Sequence, residues 1–119
     1  MIARTWHGSV LSEKASAYHQ YLLATGLKDY TDIKGNRGVY LFKWETGNIT
    51  HYQTMTLWDS IEAIKEFAGD DYEKARYYPE DEHYLLEMEP LVQHYEVPWS
   101  YIKTRRGKNI QQGTRNIEC

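Results

Sequence analysis

The chain changes its hydrophobic rhythm several times, and each change marks an element. The opening "MIARTW" alternates side chains with a period of two, as a half-buried strand does, and the alternation stops at Gly8. From Glu13 to about Thr25 the period lengthens, with Ala15, Tyr18, Tyr21 and Leu22 recurring at three- and four-residue steps. That pattern predicts an amphipathic helix, with Ser12 placed to cap its first turn and Gly26 to end its last. A polar loop, "KDYTDIKGNRG", follows. The β-branched and aromatic run "VYLFKWE", the turn "TGN" and the second run "ITHYQTMTLW" then predict an antiparallel hairpin. Asp59 with Glu62 three residues on has the form of a capping box, and Ile61, Ile64 and Ala68 make the buried stripe of a second helix that stops at Gly69. The stretch "DDYEKARYYPEDEHYLLEMEP" is expected to form one or two short helical turns broken at Pro79, and "PLVQHYEV" the last strand before Pro98.

The resulting order, β-α-β-β-α-β, is an α+β fold of the ferredoxin-like, split βαβ kind: a four-stranded antiparallel sheet with both helices on one face. Tyr40, Phe42, Trp44 and Met55 make the strands apolar on their other face as well. A bare sheet face of that kind is a large exposed apolar patch, so a second copy of the chain is expected to cover it. Residues 1–98 form the domain, and 99–119 form a basic tail with Lys103, Arg105, Arg106, Lys108 and Arg115 against the single acid Glu118. The tail is expected to pack on the partner subunit.

Composition narrows the function. The 119 residues fit one domain, and a formal net charge of -3 gives no general footprint for nucleic acid. A lone cysteine, Cys119, excludes an intramolecular disulfide, the start lacks the apolar core of a signal peptide, and no stretch reaches membrane-spanning length; a cytoplasmic location is the expectation. Aromatic residues are 14% of the chain, with 11 Tyr and 4 Trp against 2 Phe, a bias toward rings that carry a hydrogen-bonding tip. Such rings suit interfaces and ligand pockets. No phosphate-binding glycine loop, nucleophile elbow or CxxC pair occurs.

The element order, the junction "TLWDSIEAIKEFAGDD" and the final "EPLVQHYEV" resemble the antibiotic biosynthesis monooxygenase-like family of dimeric α/β barrels over residues 1–98. The resemblance implies a homodimer whose sheets face each other, with a pocket in each subunit between sheet and helices. That scaffold carries oxygenases that use no cofactor and also haem-degrading enzymes. Against the haem-degrading branch, Phe67 stands where its pocket tryptophan would be, Tyr77 where its iron-ligating histidine would be, and Trp6 where its first-strand asparagine would be. The resemblance therefore implies cofactor-independent oxidation of an aromatic or polyketide-like molecule. The alternative is a non-catalytic protein binding a small ligand or haem on the same fold, a phenolate being a known haem ligand.

Candidate site residues follow from the chemistry this oxidation needs: a dry aromatic cavity that helps deprotonate the substrate. Arg4, a long cation between Ile2 and Trp6 on one strand face, needs an anion to meet it, either a ligand or the acidic second half of the chain. Arg4, Tyr77 and His83 are the catalytic candidates, His83 because it follows Glu80, Asp81 and Glu82. Trp6, Trp58, Phe67, Tyr72 and Arg76 are the ligand-binding candidates, Trp58 having a second reading as a packing anchor at the helix entry. Tyr77 and Tyr78 on a helical turn are not both expected to point inward. His94 and Glu96 share a strand face, which is too few ligands for a metal site, and none is expected.

Overall fold

The structure is a computed structural model that describes residues 1–103. Strands β1 (Ile2–Leu11), β2 (Asn36–Thr46), β3 (Ile49–Trp58) and β4 (Gln93–Glu96) form one sheet in the order β2-β3-β1-β4, all neighbours antiparallel. Helices α1 (Ala15–Ala24), α2 (Gly26–Thr31) and α3 (Ile61–Ala68) supply the second layer. This is the expected ferredoxin-like arrangement, with the first helix broken in two. No helix of the described residues is long and apolar enough to cross a membrane.

Cross-strand register fixes which side chains meet the helices. The pairs Ile2↔Trp58, Arg4↔Thr56, Trp6↔Thr54 and Val10↔Thr50 put the even-numbered residues of β1 and β3 on one face, with His94 joining them opposite Arg4. Tyr18 and Leu22 of α1 pack there with Val10, Tyr52 and Leu85, while Tyr30 of α2 and Ile64 and Phe67 of α3 pack with Trp58. Two buried clusters result, and the half-buried Leu27 touches both.

Four local expectations are corrected. Gly8 does not end β1, which continues to Leu11; a side chain there would put its Cβ 2.4 Å from the Trp6 indole and 2.9 Å from Leu85, so the glycine is a point of close approach within a strand. Ser12 caps nothing: it opens a short 3-10 turn, Ser12–Lys14, and its hydroxyl pairs with that of Thr50 at 2.8 Å. Gly26 starts α2 rather than ending the helical region, the break falling at Thr25, so part of the supposed polar loop is helix and its Tyr30 is core. The cap of α3 is Ser60, whose Oγ accepts from Ala63 N–H at 3.2 Å, while Gly69 at φ +83° closes that helix as expected.

The segment between α3 and β4 is mostly irregular, with one 3-10 turn at Asp81–His83. Backbone bonds pin it down: Ala75 N–H to Pro90 O at 2.8 Å, Val92 N–H to Glu73 O at 2.9 Å, and Leu86 N–H to Ser9 O at 2.9 Å on the edge of β1. These bonds satisfy part of its polar backbone without regular structure.

The sheet's second face is open in the single chain. Tyr40, Phe42 and Trp44 are 43%, 44% and 42% exposed, with Met55 and Tyr95 on the same side by register. A polar file crosses it: Glu89 bonds His7 Nδ1 at 2.9 Å, His7 Nε2 bonds His51 Nδ1 at 2.9 Å, and His51 Nε2 bonds the Thr46 hydroxyl at 3.0 Å. Both imidazoles stack beside the Trp44 indole. The basic tail expected over 99–119 lies outside the described residues beyond 103, and its expected packing on a partner with it.

Because Trp6 lies over the bare backbone of Gly8, Gly8→Ala must push the indole aside and is expected to destabilise the fold by about 1–3 kcal/mol. Urea denaturation measures this; a change below about 0.5 kcal/mol, the level of an indifferent surface site, would show that the indole yields freely.

Candidate active site

Where the two core clusters meet, a hollow opens beneath the helices. Its inner room is about 40 Å³, and about 430 Å³ when the adjoining space open to solvent is counted as well. The inner room suffices for a few water molecules, so a larger guest must move part of the wall. The floor is buried: Arg4 and Thr54 from the sheet, Tyr18 and Leu22 from α1, Tyr30 from α2, Val92 and Asp81. The half-buried Thr25 and Gly26 at the helix break, with Tyr78 and the more exposed Arg76, form the rim.

Arg4 is only 2% exposed, and among the described residues no carboxylate forms an ion pair with it. The alternative of a salt bridge to the acidic second half is thus not what the fold uses. Its Nη2 donates to the carbonyls of Tyr72 and Lys74, each at a long 3.4 Å, and its Nε has no partner. The Phe67 ring lies 5.4 Å from its guanidinium, and Arg76 lies 4.9 Å from the same ring. Burial lowers the Arg4 pKa, Tyr30 partly offsets this, and the like charge of Arg76 adds to it. Arginine stays protonated nonetheless, so a positive charge is buried in the floor.

The phenols divide by how they are engaged. Tyr77 Oη accepts from Trp6 Nε1 at 3.1 Å and donates to Glu89 O at 2.6 Å, so both its roles are occupied. Tyr78 donates to the Asp29 carboxylate, which also lies 3.8 Å from Arg76. Tyr18 is fully buried and its hydroxyl has no partner. Burial raises the pKa of all three, so each is a phenol and not a phenolate.

Asp81 is the carboxylate of the floor, 5% exposed. Burial raises its pKa, against which the Tyr78 N–H donating to Oδ2 at 2.6 Å works. A buried carboxylate with raised proton affinity is a suitable general base.

Of the sequence candidates, Arg4, Trp6, Arg76 and Tyr77 line the hollow. Four do not. Trp58 is fully buried, donates to the Thr56 hydroxyl at 2.7 Å and packs on Tyr30 and Phe67, which is the packing-anchor reading. Phe67 stands behind Arg4 as a platform for its charge. Tyr72 lies between Lys65 and the His94 ring. His83 is exposed in the 3-10 turn, with its carbonyl accepting from Lys14, so the acidic run that singled it out is a solvated turn and Asp81 is its inward member. Tyr77 and Tyr78 both reach the hollow, against expectation, because the chain is not helical there.

The floor residues Tyr18, Tyr30, Thr54 and Asp81 were not among the candidates. Tyr18 was visible only as a member of a helical stripe, and Asp81 only as one acid in a run. His94, opposite Arg4, is held below the ordinary imidazole pKa first by burial and then by Arg4, and among the described residues no group of three His, Cys, Asp or Glu is placed to hold a metal ion.

A search of protein-family models and one of curated proteins each found no match. Solved structures do match. One is a Bacillus cereus protein described as a "putative antibiotic biosynthesis monooxygenase", at TM-score 0.59 and 13% identity, covering 87% of this chain and 97% of that one. This chain shares its fold. The resemblance read from the element order and the two quoted segments therefore holds at the level of architecture.

Asp81 also makes a thermodynamic prediction. With its pKa raised in the folded state, its neutral form favours folding below the unfolded carboxylate range, and that advantage is lost as pH rises through the folded value. Asp81→Asn, which keeps a carbonyl to accept from Tyr78, is expected to raise Tm at pH about 7, the gain shrinking toward pH about 3. Paired thermal melts across that range check it; a variant less stable than the parent at neutral pH would assign Asp81 a purely structural role.

Proposed function

We propose that this protein is a small homodimeric oxygenase that takes an aromatic enol into the hollow and oxidises it with molecular oxygen, without a bound cofactor. The observation that carries this reading is the buried Arg4 charge, ion-paired with no carboxylate among the described residues, in a largely aromatic and aliphatic floor whose one carboxylate, Asp81, forms no salt bridge with it. The fold shared with the Bacillus cereus protein supports it. The inner room favours a molecule of one or two rings over a larger polyketide, with Tyr78 and the Thr25–Gly26 break yielding at the rim.

In this mechanism Asp81 takes the proton of the substrate hydroxyl, the role first given to His83. Arg4 supplies positive potential that draws the freed charge into the ring and stabilises the anion. Electron density at the ring carbon opposite the oxygen reduces dioxygen, and a carbon–oxygen bond forms to give a peroxide anion. Asp81 returns its proton to that anion. Loss of the hydrogen on the same carbon with cleavage of the oxygen–oxygen bond releases water and leaves a quinone, so one naphthol and one dioxygen become one naphthoquinone and one water. Trp6 and Tyr77, tied to each other, hold the wall rigid.

The alternative of haem binding fits the residues poorly. Tyr77, which stands where the resemblance puts the axial ligand, has its hydroxyl bonded on both sides and its pKa raised by burial, and no histidine lines the hollow.

Oxygen-electrode assays with naphthols and hydroquinones are expected to show enzyme-dependent uptake that falls about 100-fold or more in Asp81→Asn and in Arg4→Met. Uptake no faster than in buffer across the panel would remove the oxygenase reading.

The open sheet face supports the homodimer, since a second copy would cover Tyr40, Phe42 and Trp44 and enclose the His7–His51 file. Sedimentation equilibrium is expected to give a dimer at micromolar concentration, and Trp44→Glu, which sets a charge in that apolar surface, is expected to weaken association about 100-fold. A monomeric parent protein would overturn this assignment.

A further inference from the structure

We propose that the ligand of this site is an aromatic carboxylic acid bearing a hydroxyl at its far end, its carboxylate on Arg4 and its hydroxyl between Tyr18 and Asp81. This rests on the proposed function only in placing the ligand in the same hollow, and it stands or falls by binding alone.

Three observations lead to it. The first is that the floor contains two polar side chains that are almost wholly buried and have atoms with no partner among the described residues: Arg4 Nε, with Arg4 2% exposed, and the Tyr18 hydroxyl, with Tyr18 0% exposed. Buried donors left without acceptors cost stability, of order 1–3 kcal/mol each and more for a charged group. A ligand oxygen meeting each of them recovers that cost.

The second is the form of the positive group. Arg4 Nε has no partner among the described residues, and Nη2 on the same edge makes only two long contacts to backbone carbonyls, so a ligand that draws one Nη2 hydrogen from them meets a planar Nε–Nη2 fork. Such a fork matches the two oxygens of a carboxylate better than the single oxygen of an enolate. Arg76 reinforces the positive potential beside the same Phe67 ring, although it is itself balanced by Asp29.

The third is the sign of the charge on the other part of the floor. Asp81 lies near Tyr18, whose pKa it helps to raise, and makes no ion pair with Arg4. A second anion there would be repelled, whereas a neutral hydroxyl can donate to Asp81 and accept from Tyr18. The aromatic Trp6 and Tyr30 and the aliphatic Leu22 and Val92 that line the same hollow suit a flat ring. One negative end, one neutral donor end and an apolar middle define the class.

Three matched probes test it by anaerobic calorimetry: 5-hydroxy-1-naphthoate, whose ring carbon opposite the hydroxyl keeps the hydrogen that the oxidation removes, its methyl ester, and 1-naphthoate lacking the hydroxyl. The parent protein is expected to bind the hydroxy acid at least about tenfold more tightly than the ester, and Arg4→Met is expected to erase that preference. Tyr18→Phe is expected to weaken the hydroxy acid about five- to tenfold, to leave naphthoate unchanged, and to leave Tm unchanged or raised, since it removes a buried group with no partner. If Arg4→Met does not fold, the preference of the parent protein and the Tyr18→Phe pattern decide alone. Equal binding of acid and ester, no binding of either, or a Tyr18→Phe loss that is the same for both acids would each overturn the inference. Tight binding of the hydroxy acid without oxygen uptake removes the oxidation and leaves this assignment; oxygen uptake with naphthols and no preference for the acid does the reverse.

Discussion

A guanidinium buried with no carboxylate among the described residues to pair it governs the rest of this molecule. Placing an ion in a protein interior costs several kcal/mol even after relaxation, and proteins ordinarily meet that cost with a counter-ion. Here the fold meets it only in part, with two long hydrogen bonds to the irregular segment before β4 and the face of Phe67. Those carbonyls, of Tyr72 and Lys74, sit in a segment held by backbone bonds to residues just ahead of β4. The long, polar, poorly periodic stretch is therefore the cradle of the cation, and its irregularity is what turns carbonyls inward toward a strand side chain. A regular helix there would have spent them on itself.

The same segment delivers the other half of the site. Its 3-10 turn aims Asp81 inward while Glu80, Glu82 and His83 stay in solvent, and its extended part lets both Tyr77 and Tyr78 reach the hollow. Asp81 is thus brought under the helices by the same stretch of chain that cradles Arg4 of β1, and the two form no ion pair. Opposite charges that are kept apart in one apolar chamber polarise whatever lies between them, and the low dielectric strengthens the effect.

What was legible in the sequence was what short-range periodicity encodes. The hairpin from Val39 to Trp58, its turn at Gly47, the α3 stripe through Ile64 and the Gly69 stop all depend on neighbours two to four residues away. The misses share a different cause. Gly8 and Gly26 are glycines whose role is set by a distant surface or by continuing helix, and composition cannot separate those roles from a chain stop. Tyr30 looked like loop because its burial comes from Trp58 and Phe67. Arg4 announced itself, since a cation on an apolar strand face violates a local rule, and such violations concentrate at functional sites. Asp81 did not, because in a run of acids the inward member is chosen by turn geometry alone.

The state of the phenols decides which way protons can move. Tyr77 is fixed by a donor and an acceptor, and Tyr78 by Asp29, so neither can turn toward a guest without breaking a bond already made. Tyr18 is unencumbered, yet burial and the nearby Asp81 hold its proton more firmly than in water. Its hydroxyl can therefore donate a hydrogen bond but not act as a base. With His94 turned to Tyr72 and His83 in solvent, Asp81, whose proton affinity burial raises, is the floor group placed to accept a proton. Because it is buried, the charge it carries when ionised is destabilising, and a protonated Asp81 beside an anion on Arg4 is the better-compensated state. In the proposed mechanism, proton transfer from ligand to Asp81 would move negative charge toward the cation that lacks it, and the same imbalance that costs the fold stability would favour the deprotonated guest.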